Sequence, residues 1–104
     1  MQIWSEYGRL AEYLVANYLL SKGYEVRISK NSKGYADIFA WNDSNRLLIQ
    51  VKASGKSFHL NAKEMRGLRR LAKIKDSKAV ISLVSIDDNC IDFYLIDNWI
   101  NIEP

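Results

Sequence analysis

Residues 36–52 read Ala36-Asp37-Ile38-Phe39-Ala40-Trp41-Asn42-Asp43-Ser44-Asn45-Arg46-Leu47-Leu48-Ile49-Gln50-Val51-Lys52. Two β-rich runs, 36–41 and 46–52, flank four polar turn formers, so the stretch predicts a β-hairpin. Upstream, Tyr7, Leu10, Ala11, Leu14, Val15, Tyr18 and Leu19 recur at steps of three and four, which predicts one apolar helix face. Ser5 can cap that helix and Gly23 can end it. Tyr24–Ser29 alternates as a strand does. Downstream, Asn61 can cap a second helix running to about Ile74, with Met65, Leu68, Leu71, Ala72 and Ile74 as its apolar members. Ala79–Val84 and Ile91–Ile96 read as further strands, with Asp87-Asp88-Asn89 as the turn between them. The expected order is αβββαββ, an α/β mixed sheet flanked by helices.

The 104 residues suit one domain, 1–104. Hydrophobic residues make up 48% and charged residues 26%, enough apolar surface to exclude disorder as the default. The lone Cys90 forbids an internal disulfide, which suits a reducing compartment. No apolar run is long enough to cross a membrane, and the start of the chain lacks a signal-peptide pattern. The expectation is a cytoplasmic protein, prokaryotic or viral and not secreted. The glycines are scattered and form no phosphate-binding loop, so no small-molecule cofactor is expected.

Charge is segregated along the chain. Residues 52–78 carry nine Lys and Arg against two acids, whereas residues 79–104 carry five acids and no Lys or Arg. A polyanion is the natural partner of the middle segment, although a solvated helix face has the same composition. Lys63, Arg66, Arg70 and Lys73 stand at i, i+3, i+7 and i+10, a single stripe along the second helix.

Asp37 stands near the start of one hairpin strand, and Gln50 and Lys52 at the end of the other. Gln50 and Lys52, two apart, leave the same face. Pairing the strands gathers a carboxylate, an amide oxygen and an ammonium in one small area. Oxygen donors of this kind suit a hard cation such as Mg²⁺. A lysine beside it can orient water or stabilise charge on phosphorus.

The pattern Asp37-x12-Gln50-x-Lys52, in a hairpin after a helix bearing Glu12, resembles the PD-(D/E)xK nuclease superfamily, and within it the archaeal-type Holliday-junction resolvases. Gly8 stands four before Glu12, Gly23-Tyr24 follows the helix, and Lys30-Asn31-Ser32-Lys33-Gly34 forms the basic loop before Asp37, all as in that family. The resemblance spans about residues 5–84 and implies a restriction-endonuclease-like fold. It implies catalytic or metal-binding roles for Glu12, Asp37 and Lys52. Gln50 departs from the resolvases, which carry glutamate there, while methyl-directed restriction endonucleases of the superfamily carry Gln-x-Lys.

On this reading Glu12, Asp37, Gln50 and the Val51 carbonyl hold Mg²⁺, with Mn²⁺ as a substitute. Lys30, Ser32, Lys33 and Lys56 flank the site, and the Lys63, Arg66, Arg70, Lys73 stripe follows phosphates. The implied activity is a DNA endonuclease cutting four-way junctions as a homodimer. The alternatives are a restriction or repair endonuclease acting on unbranched duplex, and a nucleic-acid-binding module that has lost its metal. The expected dimer surface is the acidic C-terminal third with Ile91, Phe93, Leu95, Trp99 and Ile100, turned away from DNA. His59, the only histidine, is expected near the DNA path without a catalytic role. Cys90 is expected to be a small buried apolar residue, and Trp4, Trp41 and Trp99 to pack in the core or an interface.

Overall fold

The computed structural model describes residues 3–29, 36–53 and 61–104, with side chains from residue 8 onward. Helix α1 (Ile3–Ser21) leads into β1 (Glu25–Ile28), β2 (Ile38–Trp41) and β3 (Arg46–Ala53). Helix α2 (Ala62–Ile74) then crosses to β4 (Lys78–Ser85), followed by β5 (Cys90–Leu95) and β6 (Asn101–Ile102). The six strands form one sheet in the order β1-β2-β3-β4-β5-β6. Only β3 and β4 run parallel. A parallel pair needs a long crossover, and α2 supplies it.

Each element has a local cause. α1 ends in a Schellman turn, in which the Gly23 N–H donates to Leu20 O at 3.1 Å and the Tyr24 N–H to Leu19 O at 3.1 Å. The turn needs a left-handed residue, and Gly23 has φ 90°. Asn61 caps α2 by accepting from the Glu64 N–H at 2.8 Å. In the β2–β3 turn, Asn42 Oδ1 accepts from the Ser44 and Asn45 N–H groups at 2.8 and 2.7 Å.

The sheet is covered on both faces, which explains the nearly unbroken apolar reading of β3 and β4. On one face Ala11, Val15 and Leu19 of α1 pack on Ile38, Ala40, Ile49 and Val80. On the other, Leu68 and Ala72 of α2 pack on Leu48, Ile81 and Ile96. Because β3 alternates, Gln50 and Lys52 follow Leu48 onto the α2 side.

Several expectations need correction. The order is αβββαβββ: a two-residue strand, β6, closes the sheet beyond β5 and is too short to show a period. Leu10 and Ile74, expected on apolar helix faces, are exposed. Cys90 is exposed, not buried. Phe93 cannot belong to a dimer surface, because it is 2% exposed and stacks on Tyr18 of α1. The acidic segment does not turn wholly away from the basic one, since Asp97 Oδ1 pairs with Arg69 Nε of α2 at 2.7 Å.

Candidate active site

The site forms where the β2–β3 hairpin opens. Ile38 is the register partner of Ile49, yet the Asp37 N–H also donates to Ile49 O, at 2.8 Å. Two residues of one strand thus face one of the other, the arrangement of a β-bulge, which re-aims a side chain. The re-aimed Asp37 is buried, and its Oδ2 accepts from the Val51 N–H at 2.9 Å and from Gln50 Nε2 at 3.1 Å. In an extended strand a residue's N–H and C=O point the same way. The Val51 carbonyl therefore faces the gap that Asp37 fills.

Burial pushes the Asp37 carboxyl above its ordinary value, and the Glu64 charge adds to the rise. The Val51 hydrogen bond and the Lys52 ammonium oppose it. Glu12, half-buried on α1, is pushed up to about 7, chiefly by desolvation and then by the Asp37 charge, with Arg9 opposing. The Glu12 carboxyl on α1 thus lies close enough to Asp37 for the Asp37 charge to make it harder to ionise. Lys52, on the same strand as Gln50, has its Nζ 3.3 Å from Glu64 Oε2 on the first turn of α2.

The structure thus brings Glu12, Asp37, Gln50, Val51 and Lys52 together. Lys63, Arg66, Arg70 and Lys73 are exposed along α2. The first three, with Gly67 and Arg69, line a groove of about 560 Å³. Lys30, Ser32, Lys33, Lys56 and His59 lie outside the described residues, as does the side chain of Trp4. Two features escaped the sequence reading. Glu64 was hidden among basic neighbours, and its only signal was its place three residues after the Asn61 cap. The bulge at Asp37 had no signal at all.

The donor set fits a divalent cation. Two carboxylates stand together with raised pKa values, and the nearest ammonium is shared with a third acid. Among the described residues no three His, Cys, Asp or Glu side chains converge on one point. Mg²⁺ is commonly held by one or two carboxylates completed by neutral oxygens, water and substrate phosphate. Gln50 and the Val51 carbonyl are such neutral donors. As placed, however, Gln50 gives its Nε2 to Asp37.

A family model described as Mrr_cat, restriction endonuclease, matches residues 7–95, from α1 to the end of β5. The chain belongs to this restriction endonuclease family. It is a nuclease of the PD-(D/E)xK superfamily, and the sheet with its two helices is the restriction-endonuclease-like fold. The fold is similar to that of Hjc, a Holliday junction resolvase of Archaeoglobus fulgidus. There the TM-score is 0.77 at 22% identity, over 86% of this chain and 72% of that one. It is also similar to the bacterial homing endonuclease I-Ssp6803I, with a TM-score of 0.66 at 12% identity, over 96% of this chain and 78% of that one. No curated protein matches the sequence. No helix among the described residues is long and apolar enough to cross a membrane.

Proposed function

We propose that this nuclease is a divalent-metal-dependent DNA endonuclease that cuts four-way junctions as a homodimer, its 104 residues acting as one cytoplasmic nuclease domain. The observation that carries the reading is the Asp37 carboxylate, held by Gln50 and by the N–H of Val51, the residue before Lys52, and lying within reach of the charges of Glu12 and Lys52. Glu12, Asp37, the Val51 carbonyl and, after its amide turns over, Gln50 are the groups that would hold Mg²⁺ or Mn²⁺. Such an ion supplies charge neutralisation at the scissile phosphate and lowers the pKa of bound water. The protein's own part is to fix these donors, to exclude water around Asp37, and to present the Lys52 ammonium. That ammonium orients the attacking water and stabilises charge on the phosphorus oxygens. The exposed stripe of Lys63, Arg66, Arg70 and Lys73 begins beside Glu64 on the first turn of α2 and holds the backbone that leads to the site. Cutting two strands symmetrically needs two such sites related by a two-fold axis.

Support for a junction substrate comes from the likeness to Hjc, whose published description makes it a Holliday junction resolvase. The family match and the Gln-x-Lys pair favour a second reading, restriction-type cutting of unbranched duplex. Incubating wild type and Asp37→Ala with a four-way junction and a linear duplex, each with Mg²⁺ or Mn²⁺, separates the cases. Resolution of the junction ahead of the duplex, abolished in Asp37→Ala, is the expected result. Preference for the duplex selects the second reading. No cleavage of either leaves a binding module and overturns the proposal.

A further inference from the structure

We propose that Glu64 is the positioning residue for Lys52, supplying from α2 the counter-charge that a carboxylate at position 50 would otherwise supply from β3. The inference rests on the nuclease reading of Lys52, but its geometry stands apart from it. Gln50 and Lys52 leave the same face of β3, so a glutamate at position 50 would stand beside the Lys52 ammonium. Gln50 is neutral and directs its amide nitrogen to Asp37 at 3.1 Å, so it gives Lys52 no anion. Asp37 acts on Lys52 only through its charge, whereas the anion at ion-pair distance comes from α2: Glu64 Oε2 lies 3.3 Å from Lys52 Nζ. Both side chains are about one-third exposed or less, at 26% and 32%, so the pair is partly shielded from solvent.

The place of Glu64 on α2 is fixed independently of its carboxylate. The Asn61 cap accepts from the Glu64 backbone N–H at 2.8 Å, which sets this residue in the first turn whatever its side chain. Leu68, one turn further on, is buried against the sheet and anchors the same helix face. The carboxylate is thus delivered to Lys52 by a capped and packed helix end, and ordering it there loses little further freedom. A long, flexible lysine side chain gains most from such a fixed partner.

The test uses the full chain in three forms, wild type, Glu64→Gln and the double variant Gln50→Glu/Glu64→Gln, with two readouts. Without metal or DNA, the Lys52 ammonium resonance in ¹⁵N-labelled protein should shift and broaden in Glu64→Gln and return in the double variant. On the cleaved DNA substrate, kcat should fall about tenfold in Glu64→Gln with KM within twofold, the size expected when a supporting partner is lost. The double variant should recover most of that loss. Because the cap bond uses the backbone, melting temperatures should differ by only about 3 °C, which excludes a merely structural role. An unchanged resonance in Glu64→Gln, an unchanged kcat, or no recovery in the double variant overturns the proposal. If wild type cuts no DNA, the nuclease reading falls and the ammonium resonance alone decides whether Glu64 anchors Lys52.

Discussion

The two ends of the β2–β3 hairpin are built to opposite specifications. At the closed end, Asn42 accepts from two turn N–H groups, and Asn42 N–H donates to Asn45 O at 2.9 Å. Beside it the Phe39 and Trp41 rings lie 4.9 Å apart, with the Arg46 guanidinium 5.4 Å from the Phe39 ring. The turn N–H groups of Asn42, Ser44 and Asn45 there each have a partner that lowers their energy. At the open end a bulge buries Asp37, and Glu12 is brought up against it, so two acids are held where ionisation is costly. Five residues, from Asp37 to Asn42, separate an end that stabilises the fold from one that is stabilised by it. Perturbed carboxyls of this kind mark functional sites more often than structural ones.

The largest test of this contrast is at the open end. Asp37→Asn keeps an oxygen acceptor for the Val51 N–H while removing the charge. Cleavage should fall by about 10³-fold, equivalent to roughly 4 kcal/mol of barrier, while the melting temperature holds or rises. A variant that melts early and cuts normally would place Asp37 with the structural end.

Ile49, 0% exposed between the two ends, is the control that should damage both. Ile49→Ala leaves a cavity beneath α1 and should cost about 3 kcal/mol. For a domain of this size that lowers the melting temperature by roughly 15 °C. At the closed end, Asn42→Ala removes two turn hydrogen bonds and should cost about 1 kcal/mol. Cleavage per folded molecule should stay unchanged, and denaturant melts beside cleavage rates would show it.

Most of the scaffold was legible because its causes are local. The Asn42–Asn45 turn, the Gly23 ending and the Asn61 cap each lie within a few residues of the structure they dictate. The gathering of Asp37, Gln50 and Lys52 followed from the hairpin plus the period of two. What the sequence could not carry depends on contacts between distant segments. Phe93 alternates like a surface-strand residue, and only the approach of Tyr18 makes it core. Glu64 is an ordinary first-turn acid until α2 is laid on β3 beside Lys52. The bulge at Asp37 inserts an offset that no periodicity records, and that offset decides where the carboxylate points.

The smallest effect separates the ends by pH. The Glu12 carboxyl is pushed up to about 7 from its ordinary value of 4.5, so between these values the folded protein holds a proton that the unfolded chain has lost. Stability from this group is fully present below about 4.5 and declines as pH rises towards 7, beyond which the folded state carries the whole cost of an ionised Glu12 beside Asp37. Glu12→Gln removes that cost. Since the side chain is only partly buried, water screens much of it, and the gain at pH 8 should be about 4 °C in melting temperature. At pH 4 the two proteins should melt together, because Glu12 is then protonated when folded and largely so when unfolded. Asn42→Ala, which touches no titrating group, should lose the same stability at both pH values. Were Glu12→Gln to stabilise equally at pH 4 and pH 8, the strain at the open end would not be electrostatic, and the two ends would differ in packing alone.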